Sequence, residues 1–284
     1  MPLFTERLDE AARRNQSLVC VGLDPWRPSM PIDNFADFTK AIIDATCDLV
    51  CAYKPNFAFF EAEGLEGLKA LKATIDAVPD DIPVILDAKR GDIGSTATAY
   101  AKAAFEVWGA DAVTLNPYMG GDTLLPFLEY EGRGIFVLTR TSNPGGNDFE
   151  DLMVTSRSGS SLSNNDGSLP LYEHVTERLV EWNTHGNIGL VVGATAPREL
   201  TRIRSLANSM PILIPGIGTQ GGDLEAAVTQ GVDNRGLRAV INSSRGIIFA
   251  SKGPDFAEAA RTATLRLRDS INSIRRDAGF IWQS

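Results

Sequence analysis

Ile82-Pro83-Val84-Ile85-Leu86-Asp87-Ala88-Lys89-Arg90-Gly91-Asp92 begins as a core strand and ends in charge. The run 82–86 has the near-continuous Val/Ile/Leu character of a strand covered on both faces, which is how the strands of a parallel sheet read. Alternate residues of a strand share a face, so Asp87 and Lys89 project to the same side. Burying a carboxylate and an ammonium costs several kcal/mol each unless they are paired or put to use. A core strand that ends this way is building a site.

Similar apolar runs lie on either side of this one, at 18–23, 49–53, 112–115, 135–138, 188–192, 212–214 and 237–241. Helical patterns alternate with them at 35–48, 65–78, 95–108, 122–131, from the 170s to 182, 197–207, 223–230 and 256–276. Eight βα units in one chain predict a single (β/α)8 TIM barrel spanning 1–284, with residues 1–15 as a short N-terminal helix leading into the first strand. A doubly wound open sheet is the alternative. The 284 residues suit one barrel, which commonly runs to about 250. Only 143–168 is long and irregular, rich in Ser, Gly, Asn and Asp, and it reads as a lid-like loop.

Composition narrows the partners. Apolar residues at 43% and charged residues at 22% describe a globular α/β protein with an ample core. A net charge of −9 argues against nucleic acid or an anionic membrane surface as partner, though the local charge of a site can still favour a small anion. Cys20, Cys47 and Cys51 sit in apolar segments and read as core residues in a reducing compartment. The N-terminal residues lack a signal-peptide core and no apolar run approaches a membrane span, so a cytoplasmic location is expected. The tripeptide Arg90-Gly91-Asp92 and the sequon Asn242-Ser243-Ser244 are chance matches in such a protein. His174 and His185 fall on or beside the helix after the fifth strand, away from the rim, and neither is expected to act as a base or ligand.

Active sites of (β/α)8 barrels form at the C-terminal ends of the strands. The first strand ends in Asp24, the second in Lys54, and the third in Asp87 and Lys89 with Asp92 in the following turn. Five charges on adjacent strands form a constellation. Across the barrel, Pro215-Gly216-Ile217-Gly218-Thr219-Gln220-Gly221-Gly222-Asp223 follows the seventh strand. It spells G-x-G-x-x-G, but a dinucleotide fold places that pattern after its first strand. Here it reads as a loop whose backbone N–H groups, aided by a helix N-terminus, cradle a phosphate. Arg245, after the eighth strand, adds a guanidinium suited to bidentate phosphate binding.

With D-x-K-x-x-D at Asp87, Lys89 and Asp92 and an upstream Lys54, the chain resembles the orotidine 5′-phosphate decarboxylase family over essentially its whole length, particularly the longer bacterial (type 2) form. The resemblance implies a carboxy-lyase of UMP biosynthesis that converts orotidine 5′-phosphate to UMP and CO2 without a cofactor or metal. It implies that Lys54, Asp87, Lys89 and Asp92 form a catalytic charge array, with Lys89 delivering a proton to C6. It implies a homodimer in which Asp92 and Thr96 reach into the partner's site. Asp24 is then expected to bind the ribose, Ser142 the pyrimidine edge, and Pro215, Gln220, Gly221 and Arg245 the phosphate end. The chemistry fits the charges independently. Loss of CO2 from C6 leaves a carbanion with no adjacent electron sink, and decarboxylases commonly recruit a cofactor for that purpose. A lysine held between carboxylates stays protonated and can both stabilise and quench that charge. The rival on the same barrel is a Mg2+-dependent phosphosugar decarboxylase or aldolase, against which Lys54 argues because a cation there repels the metal.

Overall fold

In the computed structural model, which describes residues 2–155, 168–218 and 221–282, the expected βα units close into a barrel. Its strands are β1 (Val19–Leu23), β2 (Ala52–Pro55), β3 (Ile85–Arg90), β4 (Ala112–Leu115), β5 (Gly134–Arg140), β6 (Ile188–Val192), β7 (Ile212–Ile214) and β8 (Ala239–Ser243). They lie in the spatial order β2-β1-β8-β7-β6-β5-β4-β3, every ladder parallel. The seam between β2 and β3 is closed by pairing of Tyr53 with Val84 and of Asn56 with Asp87. An open doubly wound sheet is therefore excluded.

Helices cover the outside: α1 (Phe4–Arg14), α2 (Phe35–Thr46), α3 (Phe57–Glu61), α4 (Gly64–Asp76), α5 (Gly94–Lys102), α6 (Leu125–Leu128), α7 (Leu171–Trp182), α8 (Pro197–Ala207), α9 (Leu224–Gly231), α10 (Arg245–Ile248) and α11 (Phe256–Asp277). The N-terminal helix plugs the bottom of the barrel. Its buried face carries Phe4, Leu8, Ala11 and Ala12, and the Phe4 ring meets Phe136 of β5 edge-on at 5.8 Å. Ion pairs of Asp9 with Arg238 and of Arg7 with Asp111 pin it there. The floor is thus sealed by packing, which leaves the C-terminal rim as the open end.

Several elements depart from the pattern read in the sequence. β2, β3, β5 and β8 each end later than their apolar runs, and β3 continues through Asp87 and Lys89 to Arg90. The region expected as one helix over 122–131 is a 3-10 turn at Gly121–Thr123 followed by the single turn α6, which carries Pro126 as its second residue. The stretch 143–168 is not wholly irregular. It opens with a 3-10 turn at Pro144–Asp148, and Met153–Thr155 pairs antiparallel with Ser168–Pro170.

Cys20 and Cys51 are buried and all three cysteines are free; burial pushes the Cys20 thiol up to about 12, so it is an inert core group. Among the described residues, no helix is long and apolar enough to cross a membrane.

Candidate active site

The register of β1, β2 and β3 delivers three of the five predicted rim charges to one point. Lys54 pairs with Gly22 across β1–β2, and Asn56 bridges to Asp87. Asp87 Oδ2 accepts from Lys54 Nζ at 2.9 Å, and Oδ1 accepts from Lys89 Nζ at 2.6 Å. Lys54 and Asp87 are buried at 4% and 8% exposure, whereas half of the Lys89 side chain is open to the cavity. Burial alone opposes both charges. For Asp87 the fields of Lys54 and Lys89 outweigh it and hold the carboxyl well below the usual carboxylate range. For Lys54 the fields of Asp87 and Asp24 outweigh it and raise the ammonium above the usual lysine range. Lys54 and Asp87 are therefore both ionised throughout the neutral range.

Thr114 of β4, not foreseen from the sequence, organises this array. Its Oγ1 donates to Asp87 Oδ1 at 2.9 Å and accepts from the backbone N–H groups of Ala88 and Lys89 at 3.0 and 2.9 Å. One hydroxyl therefore saturates its donor and both acceptor sites in fixing the strand end. Lys89 has φ of 45°, in the left-handed region that a non-glycine residue occupies only when its surroundings dictate it. The β3–β4 register shifts between Leu86 and Arg90, and this irregularity turns Lys89 toward the barrel mouth.

These side chains line a cavity of about 280 Å3 at the C-terminal ends of the strands. Asp24, Ser142, Pro215 and Arg245 also line it, joined by Asn56, Thr114, Asn242 and Ser244. Three cations (Lys54, Lys89, Arg245) face two carboxylates (Asp24, Asp87), so the cavity is net cationic in a chain of net charge −9. Ser244 Oγ donates to Asp24 Oδ2. This close approach needs Gly22, because a Cβ there would meet Ser244 Cβ at 2.7 Å.

The loop after β7 supplies Pro215, Gly216 and Ile217 to the wall. Gly216, Gly218 and Gly221 adopt φ of 103°, 94° and 72°, a run of left-handed turns only glycine makes cheaply. Gly221 closes the turn through its N–H to Gly218 O and does not itself line the cavity. Gln220 lies outside the described residues. Asp223 caps α9 by accepting from Ala226 N at 3.0 Å, which occupies one of the amides the helix N-terminus would offer an anion.

Asp92 and Thr96 are not brought into this cavity. Asp92 Oδ1 accepts from the Ile93 N–H, and Thr96 is exposed on α5. The two histidines also lie off it. His174, on α7, lines a separate and larger cavity of about 730 Å3 walled mainly by Tyr118, Phe149, Tyr172 and Trp182, while the side chain of His185 is half-exposed. That larger space is apolar and holds none of the charge array.

Fold and cavity together define a (β/α)8-barrel enzyme whose rim concentrates paired ammonium and carboxylate groups beside a glycine-rich loop. The profile of the orotidine 5′-phosphate decarboxylase / HUMPS family matches residues 17–262, and the chain belongs to that family. It is 51% identical over 277 residues to an orotidine 5′-phosphate decarboxylase of Roseiflexus sp. (strain RS-1), covering 95% of this chain and 97% of the relative. A Cupriavidus metallidurans protein of the same name is 50% identical over 280 residues, covering 96% and 98%. The solved structure of Leishmania donovani OMP decarboxylase superimposes with a TM-score of 0.83 at 43% identity, covering 97% of this chain and 99% of that one.

Proposed function

We propose that this chain decarboxylates orotidine 5′-phosphate to UMP, with the Lys54–Asp87–Lys89 array as its catalytic centre. The observation that carries the reading is one buried carboxylate flanked by two ammonium groups at 2.9 and 2.6 Å, at the wall of a cationic cavity.

In the proposed reaction the bond from C6 to the carboxylate breaks, CO2 leaves, and the electron pair stays on C6. Lys89 Nζ stabilises that charge and then gives C6 its proton, regaining one from water. Asp87, held ionised, lies beside the position the substrate carboxylate takes, so the repulsion between the two is relieved as CO2 departs. Lys54 compensates Asp87, and Asp24 is the ribose anchor. Ser142 meets the pyrimidine edge. The phosphate end is held by the Pro215 loop, with Gln220 and Gly221, and by Arg245, far from C6, so its binding energy serves to close the site as well as to hold substrate. The segment beginning at Asn143 is the lid of this reading.

Asp92 and Thr96 complete the site of a second copy in a homodimer. Their place outside the chain's own cavity supports this, as do Ile93 at 58% exposure and Tyr118 at 84%, large apolar groups at the ends of β3 and β4. A metal-dependent phosphosugar reaction on the same barrel is disfavoured, because an ammonium 2.9 Å from Asp87 repels a divalent cation at that carboxylate.

The test is consumption of orotidine 5′-phosphate, followed by ultraviolet absorbance with and without excess EDTA. Turnover indifferent to chelator is the expected result. A folded dimer that is inactive, or that loses activity in EDTA, overturns the reading.

A further inference from the structure

Two side-chain oxygens facing the catalytic cavity are buried without a hydrogen-bond partner among the described residues: Asp24 Oδ1 and Asn242 Oδ1. Asn242 is 6% exposed. It lies on β8 two residues before Ser244 and on the same inner face. Gly22 of β1 lies against it, where a Cβ would stand within ordinary contact distance of Asn242 Oδ1. The absence of a Cβ at Gly22 admits Ser244 Oγ, which uses its hydrogen on Asp24 Oδ2. The wall shared by β1 and β8 therefore presents two unused acceptors side by side. A carbonyl buried without a donor is costly, and a site retains one where its ligand brings the hydrogen.

Position restricts what that ligand group is. Arg245, three residues along from Asn242, marks the phosphate end. Lys89 and Ser142, on β3 and after β5, mark the base end across the barrel. What lies between them, against β1 and β8, is the sugar. An acceptor oxygen repels phosphate oxygens, whereas a ribose offers two vicinal hydroxyl donors.

We propose that Asn242 is a ribose-binding residue that sets specificity for the ribonucleotide, its carbonyl accepting from one of the vicinal hydroxyls while Asp24 Oδ1 accepts from the other. This rests on the nucleotide reading given above. The pair divides the diol between two residues, so loss of either hydroxyl from the substrate strands one buried oxygen.

The experiment compares wild type, Asn242→Ala and Asn242→Ser on orotidine 5′-phosphate and on its 2′-deoxy and 3′-deoxy analogues, reading kcat/KM for each. On the parent substrate, Asn242→Ala is expected to lose roughly five- to tenfold, the worth of a neutral hydrogen bond. On one analogue, the one lacking the hydroxyl that Asn242 holds, the loss falls within about twofold, because no bond remains to lose. Asn242→Ser, smaller but still polar, repeats the pattern if the alanine variant fails to fold. Equal losses on all three substrates, or no loss on any, overturn the assignment and leave the amide a structural group. Absence of turnover by the wild-type enzyme on the parent substrate overturns the decarboxylase reading and this inference together, so the two failures are distinguishable.

Discussion

Asp87 illustrates how much one buried residue commits the chain to. It accepts from Lys54, Lys89 and Thr114, so removing its charge strands a 4%-exposed ammonium, whereas removing Lys54 leaves Asp87 two donors. Asp87→Asn is therefore expected to destabilise by about 3 kcal/mol or more and Lys54→Met by clearly less, in urea melts at pH 7. Equal costs would show that Lys54 does not depend on this carboxylate. The pH dependence follows from the two displaced ionisations. A carboxyl held low in the folded state contributes stability above its unfolded value of about 3.9 and loses it as pH falls toward the folded value. An ammonium held high contributes stability below its unfolded value of about 10.4 and loses it as pH rises through the folded one. The stability gap between wild type and Asp87→Asn should shrink below about pH 4, as wild type loses the Asp87 contribution. It should shrink again toward alkaline pH, where the stranded Lys54 of the variant gives up its proton. A gap that widens as pH falls below about 4 sinks the assignment. Arg245 makes a different kind of demand. Exposed at the rim, it is not needed for the fold, so Arg245→Ala should raise KM for the phosphorylated substrate tenfold or more, with partial rescue by free guanidinium. Kinetics matching the wild type mean that the phosphate site is misplaced.

At the scale of elements, the catalytic strand depends on its neighbour. Thr114 holds two backbone N–H groups of β3 and one oxygen of Asp87. Thr114→Val keeps the shape and removes all three bonds, which should cost about 2–4 kcal/mol in unfolding free energy. It should also lower kcat more than KM, since Lys89, not the phosphate loop, loses its support. A variant with intact kcat would mean that the Lys89 turn holds itself. How far such elements were legible depends on where polar residues fall. The alternation of apolar runs and helical patterns made the barrel readable end to end, and β4, β6 and β7, with no functional side chain beyond Thr114, matched their apolar runs. β2, β3, β5 and β8 were read short at their C-terminal ends. An apolar-run rule stops at Lys54, Asp87 or Asn242, whereas these side chains stay in the strand because a cavity, not solvent or core, receives them. Thr114 was overlooked for the converse reason: a single hydroxyl in Ala112-Val113-Thr114-Leu115 reads as a β-branched filler, and only the adjacent strand gives it partners. The charges of the array were visible as types in sequence; the pairing of Asp87 with both lysines was visible only once the register was known.

The whole molecule sets a net charge of −9 against a cationic cavity, so the substrate's anionic groups are drawn to a place where the local field opposes the global one. A single chain nevertheless leaves this site without Asp92 and Thr96, which lie outside its own cavity. If each site draws Lys89 from one subunit and Asp92 from the other, two inactive variants can repair one another. Lys89→Ala and Asp92→Ala homodimers should each be folded and retain under a tenth of wild-type turnover. Unfolded together, mixed in equal amounts and refolded, they re-assort so that half of the dimers are mixed. Each mixed dimer holds one site with both defects and one with neither, giving about a quarter of wild-type activity. The same mixture prepared without subunit exchange should stay inactive, which separates complementation from residual activity. If exchange restores nothing while both variants remain dimeric, Asp92 acts within its own subunit or not at all, and the interface reading fails even though the decarboxylase assignment stands.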